Sequence, residues 1–168
     1  MRAILLTGLI LSNASIVSSA ELTKEQQAVA MTILGEARGE GRMGMYAVAC
    51  VLQARQADRQ WSASLEKVCL QEWKGVHQFS CWNKKDPNRA KLPGLLKTHA
   101  QAPYAIWLAK HLTAGSKFDQ KITGGSNHFA TLNMKPYWAY KKVKVGNIWV
   151  RVYIKPTKII GQHKFWKL

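Results

Sequence analysis

The sequence predicts an α+β domain, mostly helical over its first two-thirds and closed by a small antiparallel sheet in its last third. Three observations carry this. Apolar residues recur at helical spacing from Lys24 to Ala37 and again over residues 45–55. From Thr123 onward the chain breaks into short extended pieces, and Gly146-Asn147 stands between the apolar runs 143–145 and 148–152, the two-residue signal of a hairpin. Finally, 168 residues with 47% hydrophobic and 20% charged content suit one soluble domain with a single core, with no internal repeat and no linker to a second.

Residues 1–20 stand apart from this domain. Arg2 gives a short positive start, and the apolar stretch 3–17 is diluted by Thr7, Gly8, Ser12, Asn13 and Ser15. Ser18-Ser19-Ala20 then places small residues at both cleavage-determining positions, the layout of a secretory signal peptide cut after Ala20. An uncleaved, weak N-terminal anchor is the rival reading. Either one delivers the domain, residues 21–168, outside the cytoplasm: to the periplasm, the cell wall or the medium.

Thr23 is a suitable N-cap for the first helix, where Ala28, Met31 and Leu34 share a face. The glycine-bearing stretch 39–44 is expected to interrupt it before the second helix, 45–55, in which Val48, Val51 and Leu52 align. A shorter helix is expected at 63–70. Residues 71–86 are aromatic and turn-like, 88–94 form a loop, and 95–114 read as helix, with Pro103 starting or kinking its second half. A last short strand is expected at 164–167.

There are 25 Lys and Arg against 9 Asp and Glu, a formal charge of +16, spread along the chain without a basic tail. The partner is therefore a polyanion: nucleic acid, an anionic membrane or an acidic cell wall. Cys50 falls in an apolar helical pattern and reads as a small buried residue. Cys69 and Cys81, across a loop-like stretch, are candidates for a disulfide in an exported protein, or for two free thiols. Neither they nor any other cysteines have the spacing of a zinc site.

The segment Glu36-Ala37-Arg38-Gly39-Glu40-Gly41 places two carboxylates at i, i+4 where an apolar-faced helix runs into glycines. A carboxyl there can project from a rigid element into a cleft, partly desolvated, and donate a proton near neutral pH. The plainer reading is a solvated helix end. Gln78, Phe79, Ser80, Trp82 and Asn83 have the composition of a saccharide subsite, with aromatic faces to stack on sugar rings and amides or hydroxyls to bond them. Phe79 and Trp82 read equally as core. Tyr137 and Trp138 allow the same two readings, and seven tryptophans are more than a small core needs. His128 and His163, with Glu36 or Glu40, would be the ligands of a catalytic zinc in an amidase, but no local metal-binding spacing surrounds them. His77, His99 and His111 read as surface or packing residues.

These blocks occur in a particular order. The Glu36–Gly41 hexapeptide, Gly44-Met45-Tyr46-Ala47-Val48-Ala49, Gln78-Phe79-Ser80-Cys81-Trp82, Gly124-Gly125-Ser126-Asn127-His128-Phe129, Pro136-Tyr137-Trp138 and Gly161-Gln162-His163-Lys164-Phe165 together resemble the SleB/CwlJ-type cell wall hydrolases. The resemblance implies a lysozyme-like domain related to the lytic transglycosylases, acting on the β-1,4 bond between N-acetylmuramic acid and N-acetylglucosamine. It implies Glu36 as the catalytic residue and peptidoglycan as the partner, with no cofactor and no metal. Glu40, Gln78, Phe79, Ser80, Trp82, Asn83, His128, Phe129, Trp138 and His163 become supporting or substrate-binding residues; Glu40 is the one nearby candidate for the second carboxylate that hydrolysis would use, and a structural or supporting role is the favoured reading. The sequence departs from the family pattern at Asp119–Gly125, which is longer, lacks a proline and has Gly where Ala is typical, and at Cys50.

One carboxyl serving first as acid and then as base leads to lytic transglycosylation, closing a 1,6-anhydro ring. Entry of water instead gives muramidase hydrolysis, with a metal-dependent amidase and a non-catalytic wall-binding module as more distant alternatives. A single-strand nucleic-acid binder accounts for the charge and the aromatics but not for the export segment or Glu36, so nucleic acid is not the expected partner. The domain is expected to act as a monomer.

Overall fold

The computed structural model describes residues 22–168, so the expected export segment, 1–20, lies outside the described residues. Among these described residues are five α-helices and three small antiparallel sheets. The first helix, α1 (Lys24–Ala37), is centred in the fold. Its capping box pairs Thr23 with Gln26, whose backbone N–H donates to the Thr23 hydroxyl while the Gln26 side chain accepts from the Thr23 N–H. Beyond its first turn α1 is buried on almost every side, through Ala28, Val29, Ala30, Thr32, Ile33, Leu34 and Ala37. A helix apolar all round must be surrounded, and α2 to α5 all pack on it. Each fully buried side chain such as Ile33 or Leu34 contributes about 2 kcal/mol.

The glycine stretch interrupts the helices less than expected. Only a 3-10 turn, Arg38–Glu40, separates α1 from α2 (Gly41–Ala57), which starts on Gly41 at φ 66° and carries Gly44 inside its first turn. Gly44 is required there because a Cβ would collide with that of Glu40. Helix α3 (Leu65–Leu70) is capped by Ser64, and Glu25 of α1 accepts from the Leu65 N–H at 2.8 Å, tying the two together. The single helix expected at 95–114 is two, α4 (Leu92–Thr98) and α5 (Ala102–Thr113), with Pro103 in the first turn of α5, where its missing N–H costs nothing.

Two strands were not expected. β1 (Glu72–Trp73) and β2 (Val76–His77) form a hairpin around Lys74-Gly75, both at positive φ. Two-residue strands are too short to leave a periodic signal. In the last third the anticipated sheet is divided. β3 (His128–Thr131), β6 (Lys158–Ile160) and β7 (His163–Trp166) make an antiparallel sheet in the order β3-β7-β6. β4 (Tyr140–Val145) and β5 (Ile148–Tyr153) pair with each other around Gly146-Asn147, as the sequence predicts, but stand outside that sheet. The final strand begins at His163, one residue ahead of the expected 164–167.

Phe165 packs on Ala47 and Val51, so α2 joins the sheet to the helical core. The disulfide considered between Cys69 and Cys81 is not formed; both are buried free thiols. Cys81 is pressed on Gly35, while Cys69 lies beside Thr32, so each is engaged with a different turn of α1. Burial pushes the thiols of Cys50 and Cys69 up to about 12 and raises that of Cys81, leaving none as a thiolate nucleophile.

Candidate active site

Helix α1 ends pointing Glu36 at the sheet. The side chain is half-buried, and its Oε1 accepts two hydrogen bonds, from the Cys81 backbone N–H at 2.9 Å and from the Ser80 hydroxyl at 3.2 Å. Both donors sit in the 3-10 turn Ser80–Trp82, packed directly against α1. Among the described residues no N–H or O–H donor reaches the second oxygen, Oε2, although the Cys81 thiol also lies against this carboxylate; Glu36 is thus oriented mainly through one oxygen, with the other left for chemistry. Gly35 makes this approach possible: a Cβ there would lie 2.5 Å from Cys81 Cβ.

Glu36 opens into a cleft of about 200 Å³ between the end of α1 and the face of β3 and β7. Gln78 and Ser80 form one wall, β3 with Phe129, Ala130 and Thr131 the other, and His163, Met134, Pro136 and Trp138 complete it. Glu36 is the one carboxylate in this lining. An apolar floor with a few convergent polar groups is the usual make-up of a small-molecule or saccharide site.

Of the residues singled out from sequence, Glu36, Gln78, Ser80, Phe129, Trp138 and His163 meet in the cleft. The others are placed differently. Phe79 is fully buried and belongs to the core, not to a subsite. Trp82 packs on the same core and donates its indole N–H to Thr32 Oγ1 at 2.9 Å. Asn83 accepts from the His77 N–H at 2.8 Å and so braces the β1–β2 hairpin. These three build the turn that holds Glu36 and lie outside the cleft lining.

Glu40 does not reach the cleft lining either. Its Oε2 accepts from the Gln162 N–H at 2.7 Å, across the tight turn between β6 and β7. Gly161, at φ 54°, has no room for a Cβ because the Glu40 carboxylate occupies that space. The Glu-Gly and Gly-Gln blocks are thus two halves of one joint, which fixes the sheet against the helices. Glu40→Ala is expected to lower stability by about 1 kcal/mol, the worth of one such hydrogen bond, and to reduce cleavage only a few-fold. Denaturant unfolding and a turbidity assay on cell walls check both; loss of activity as complete as for a Glu36 variant would contradict it.

His128 lies between Trp61 and Trp138, with ring centroids at 5.8 and 4.9 Å, and its Nδ1 is 2.9 Å from Asn127 Oδ1. Burial, reinforced by the Arg55 charge, pulls it down from 6.5 to about 4. The unfolded chain therefore takes up this proton near pH 6.5 and the folded chain only near pH 4. Stability from this residue is complete above pH 6.5 and is lost as pH falls towards 4. Thermal melts across that window are expected to fall more steeply for the wild type than for His128→Phe; equal slopes would contradict the assignment.

Arg55 was not singled out from sequence, although its helical phase, four residues after Val51, places it on the core face. It is 3% exposed, its guanidinium lying 4.2 Å from the Trp61 ring and 4.6 Å from Phe79, with Nε donating to Asn127 O at 2.7 Å. Burial lowers it to about 10, and the Glu36 carboxylate is among the charges that oppose this. A buried cation thus stands behind the site and joins the His128 strand to the Phe79 turn.

Asp119 is exposed, caps the Lys121 N–H and takes no place in the cleft lining. Among the described residues no group of three His, Cys, Asp or Glu side chains is placed to hold a metal ion. His128, His163 and either glutamate therefore do not assemble the ligand set that an amidase reading requires.

A family model described as cell wall hydrolase matches residues 39–166, well over half of the chain. Among solved structures, the catalytic domain of the germination-specific lytic transglycosylase SleB from Bacillus anthracis is similar, with a TM-score of 0.52 over 90% of this chain and 100% of that one, at 19% identity. The likeness is one of fold, and it agrees with the α+β, lysozyme-like architecture expected from sequence. Among curated proteins none matches.

Proposed function

The chain belongs to the cell wall hydrolase family of peptidoglycan-degrading enzymes, and from that premise we propose that it cuts the β-1,4 bond between N-acetylmuramic acid and N-acetylglucosamine as a lytic transglycosylase. The observation that carries this reading is the single, half-pinned carboxylate of Glu36 in the cleft.

The proposed sequence needs one residue. Glu36, protonated, donates from Oε2 to the glycosidic oxygen as the bond to the muramic acid anomeric carbon breaks and positive charge develops there. The resulting carboxylate takes the proton of the sugar's own 6-hydroxyl, and O6 closes on the anomeric carbon to form the 1,6-anhydro ring. The proton count closes, and Glu36 ends as it began. Ser80 and the Cys81 N–H hold Oε1 throughout, so the acid keeps its orientation as its charge changes. Hydrolysis ordinarily asks for a second carboxylate across the bond, at about 5–10 Å. The nearest in sequence, Glu40, is committed to the Gln162 N–H. This favours the intramolecular hydroxyl over water as the nucleophile.

Trp138 and Phe129 offer ring faces to the sugars, while Gln78 and Thr131 offer polar contacts to hydroxyl and N-acetyl groups. Gln78, exposed on the outer wall, is a candidate specificity residue. The cationic surface suits an anionic wall, and export, by residues 1–20, brings the enzyme to it. Digestion of purified peptidoglycan is expected to release shortened glycans still bearing their stem peptides, with or without a chelator. Free stem peptides, or loss of activity on chelation, would contradict the proposal.

A further inference from the structure

The β4–β5 hairpin lines no part of the cleft; its strands pack chiefly on each other, and Tyr153 at its base meets Trp166 of the sheet. Its two faces differ sharply. Cross-strand register puts Tyr140 with Tyr153, Lys142 with Arg151 and Lys144 with Trp149 on one face. The other face carries Val143 with Val150, Val145 with Ile148, and Lys141 with Val152. Towards the turn, Val145, Ile148 and Trp149 are 56%, 63% and 65% exposed. No Asp or Glu occurs between Tyr140 and Tyr153, where four cations stand.

We propose that this hairpin is a docking finger for an anionic lipid surface, its apolar tip entering the headgroup–acyl boundary while its cations meet lipid phosphates. The spacing fits. Three residue pairs from the turn span about 10 Å of strand, the depth to which interfacial elements sink. Within that length lie Val145, Ile148, Trp149, Val143 and Val150, and the next pair back, Lys142 with Arg151, stands at headgroup level, Arg151 lying over the Tyr140 ring and donating to Tyr137 O. Lys144, opposite Trp149, is long enough to snorkel to the same level. The ladder edges near the tip stay in the hydrated boundary, so no backbone group enters hydrocarbon unpaired.

Charge decides among occupants. A second copy of the chain would oppose cation to cation on the Lys142/Arg151 face. A glycan would need polar partners on the aliphatic face, which has only Lys141. An anionic bilayer satisfies both faces at once.

The test uses the full chain and vesicles of phosphatidylglycerol mixed with phosphatidylcholine, against phosphatidylcholine alone. Flotation is expected to show binding to the anionic vesicles, weakened by salt. The triple change Lys142→Gln, Lys144→Gln, Arg151→Gln is expected to weaken it on the order of a hundredfold, at about fivefold for each charge. Brominated acyl chains are expected to quench a fluorescence component that Trp149→Phe removes, which reads the tip directly whatever the N-terminal segment does. Circular dichroism should match the wild type in all variants, and wall cleavage should be unchanged in Trp149→Phe. Undiminished binding by the triple variant, no Trp149-dependent quenching, or a dimer that Trp149→Ser dissolves would each overturn the proposal.

Discussion

Replacing Glu36 with Gln is expected to reduce peptidoglycan cleavage by about a thousandfold or more while leaving the fold intact. The amide keeps an oxygen to accept from the Ser80 hydroxyl and the Cys81 N–H, the two bonds that orient the native side chain. It cannot donate an acidic proton to the leaving oxygen, nor take one from the 6-hydroxyl, so both halves of the proposed cycle fail together. Glu36→Asp is instructive as well: it retains the acid but shortens the arm by one methylene, moving the carboxyl away from the Ser80–Trp82 turn and out of register with the substrate. Residual activity for Asp above that for Gln is expected. The check is the rate of muropeptide release beside a thermal melt, and a folded Gln variant with substantial activity would remove Glu36 from the mechanism.

Gly35→Ala is expected to damage fold and activity together, because its added methyl enters the turn that orients Glu36. The added Cβ would meet Cys81 Cβ at 2.5 Å and Cys81 Sγ at 2.7 Å, between a buried helix and a buried turn. Neither neighbour is a flexible side-chain end, so the turn must shift, at about 1–3 kcal/mol or more. The same shift withdraws the Cys81 N–H from Glu36. Stability and activity should therefore fall together. Removing the Cys81 side chain by Cys81→Gly should restore part of both in the double variant, because the collision is between those two side chains. Denaturant midpoints and cleavage rates for the four members of this cycle check it; independent, additive losses would contradict the close-packed turn.

Much of the helical half was legible because its signals are local. The Thr23 cap, the apolar spacing of Ala28, Met31 and Leu34, and Pro103 at the start of α5 each act within one or two turns. The Gly146-Asn147 hairpin is likewise a local turn preference. Glu36 was legible as a carboxylate at a helix end, and the ordered blocks around it gave that position its meaning. What escaped the sequence depends on distant partners. Glu40 meets Gln162 across 122 positions, and its close approach explains why Gly44 is glycine and, with the positive φ there, why Gly161 is. Phe79, Trp82 and Asn83 have the composition of a subsite, yet they serve the turn behind Glu36, since composition does not say which way a side chain faces. Arg55 went unremarked because a buried cation stacked on two aromatic rings looks, from sequence, like any arginine on a helix.

A single carboxylate that acts in turn as acid and base closes the sugar ring without consuming water. Digestion of purified peptidoglycan in ¹⁸O-enriched water, followed by mass spectrometry of the released glycan ends, tests it most directly. Transglycosylation is expected to leave 1,6-anhydro-muramic acid ends that carry no ¹⁸O and that vanish with Glu36→Gln. Reducing muramic acid ends labelled with ¹⁸O would contradict it and assign the enzyme to hydrolysis.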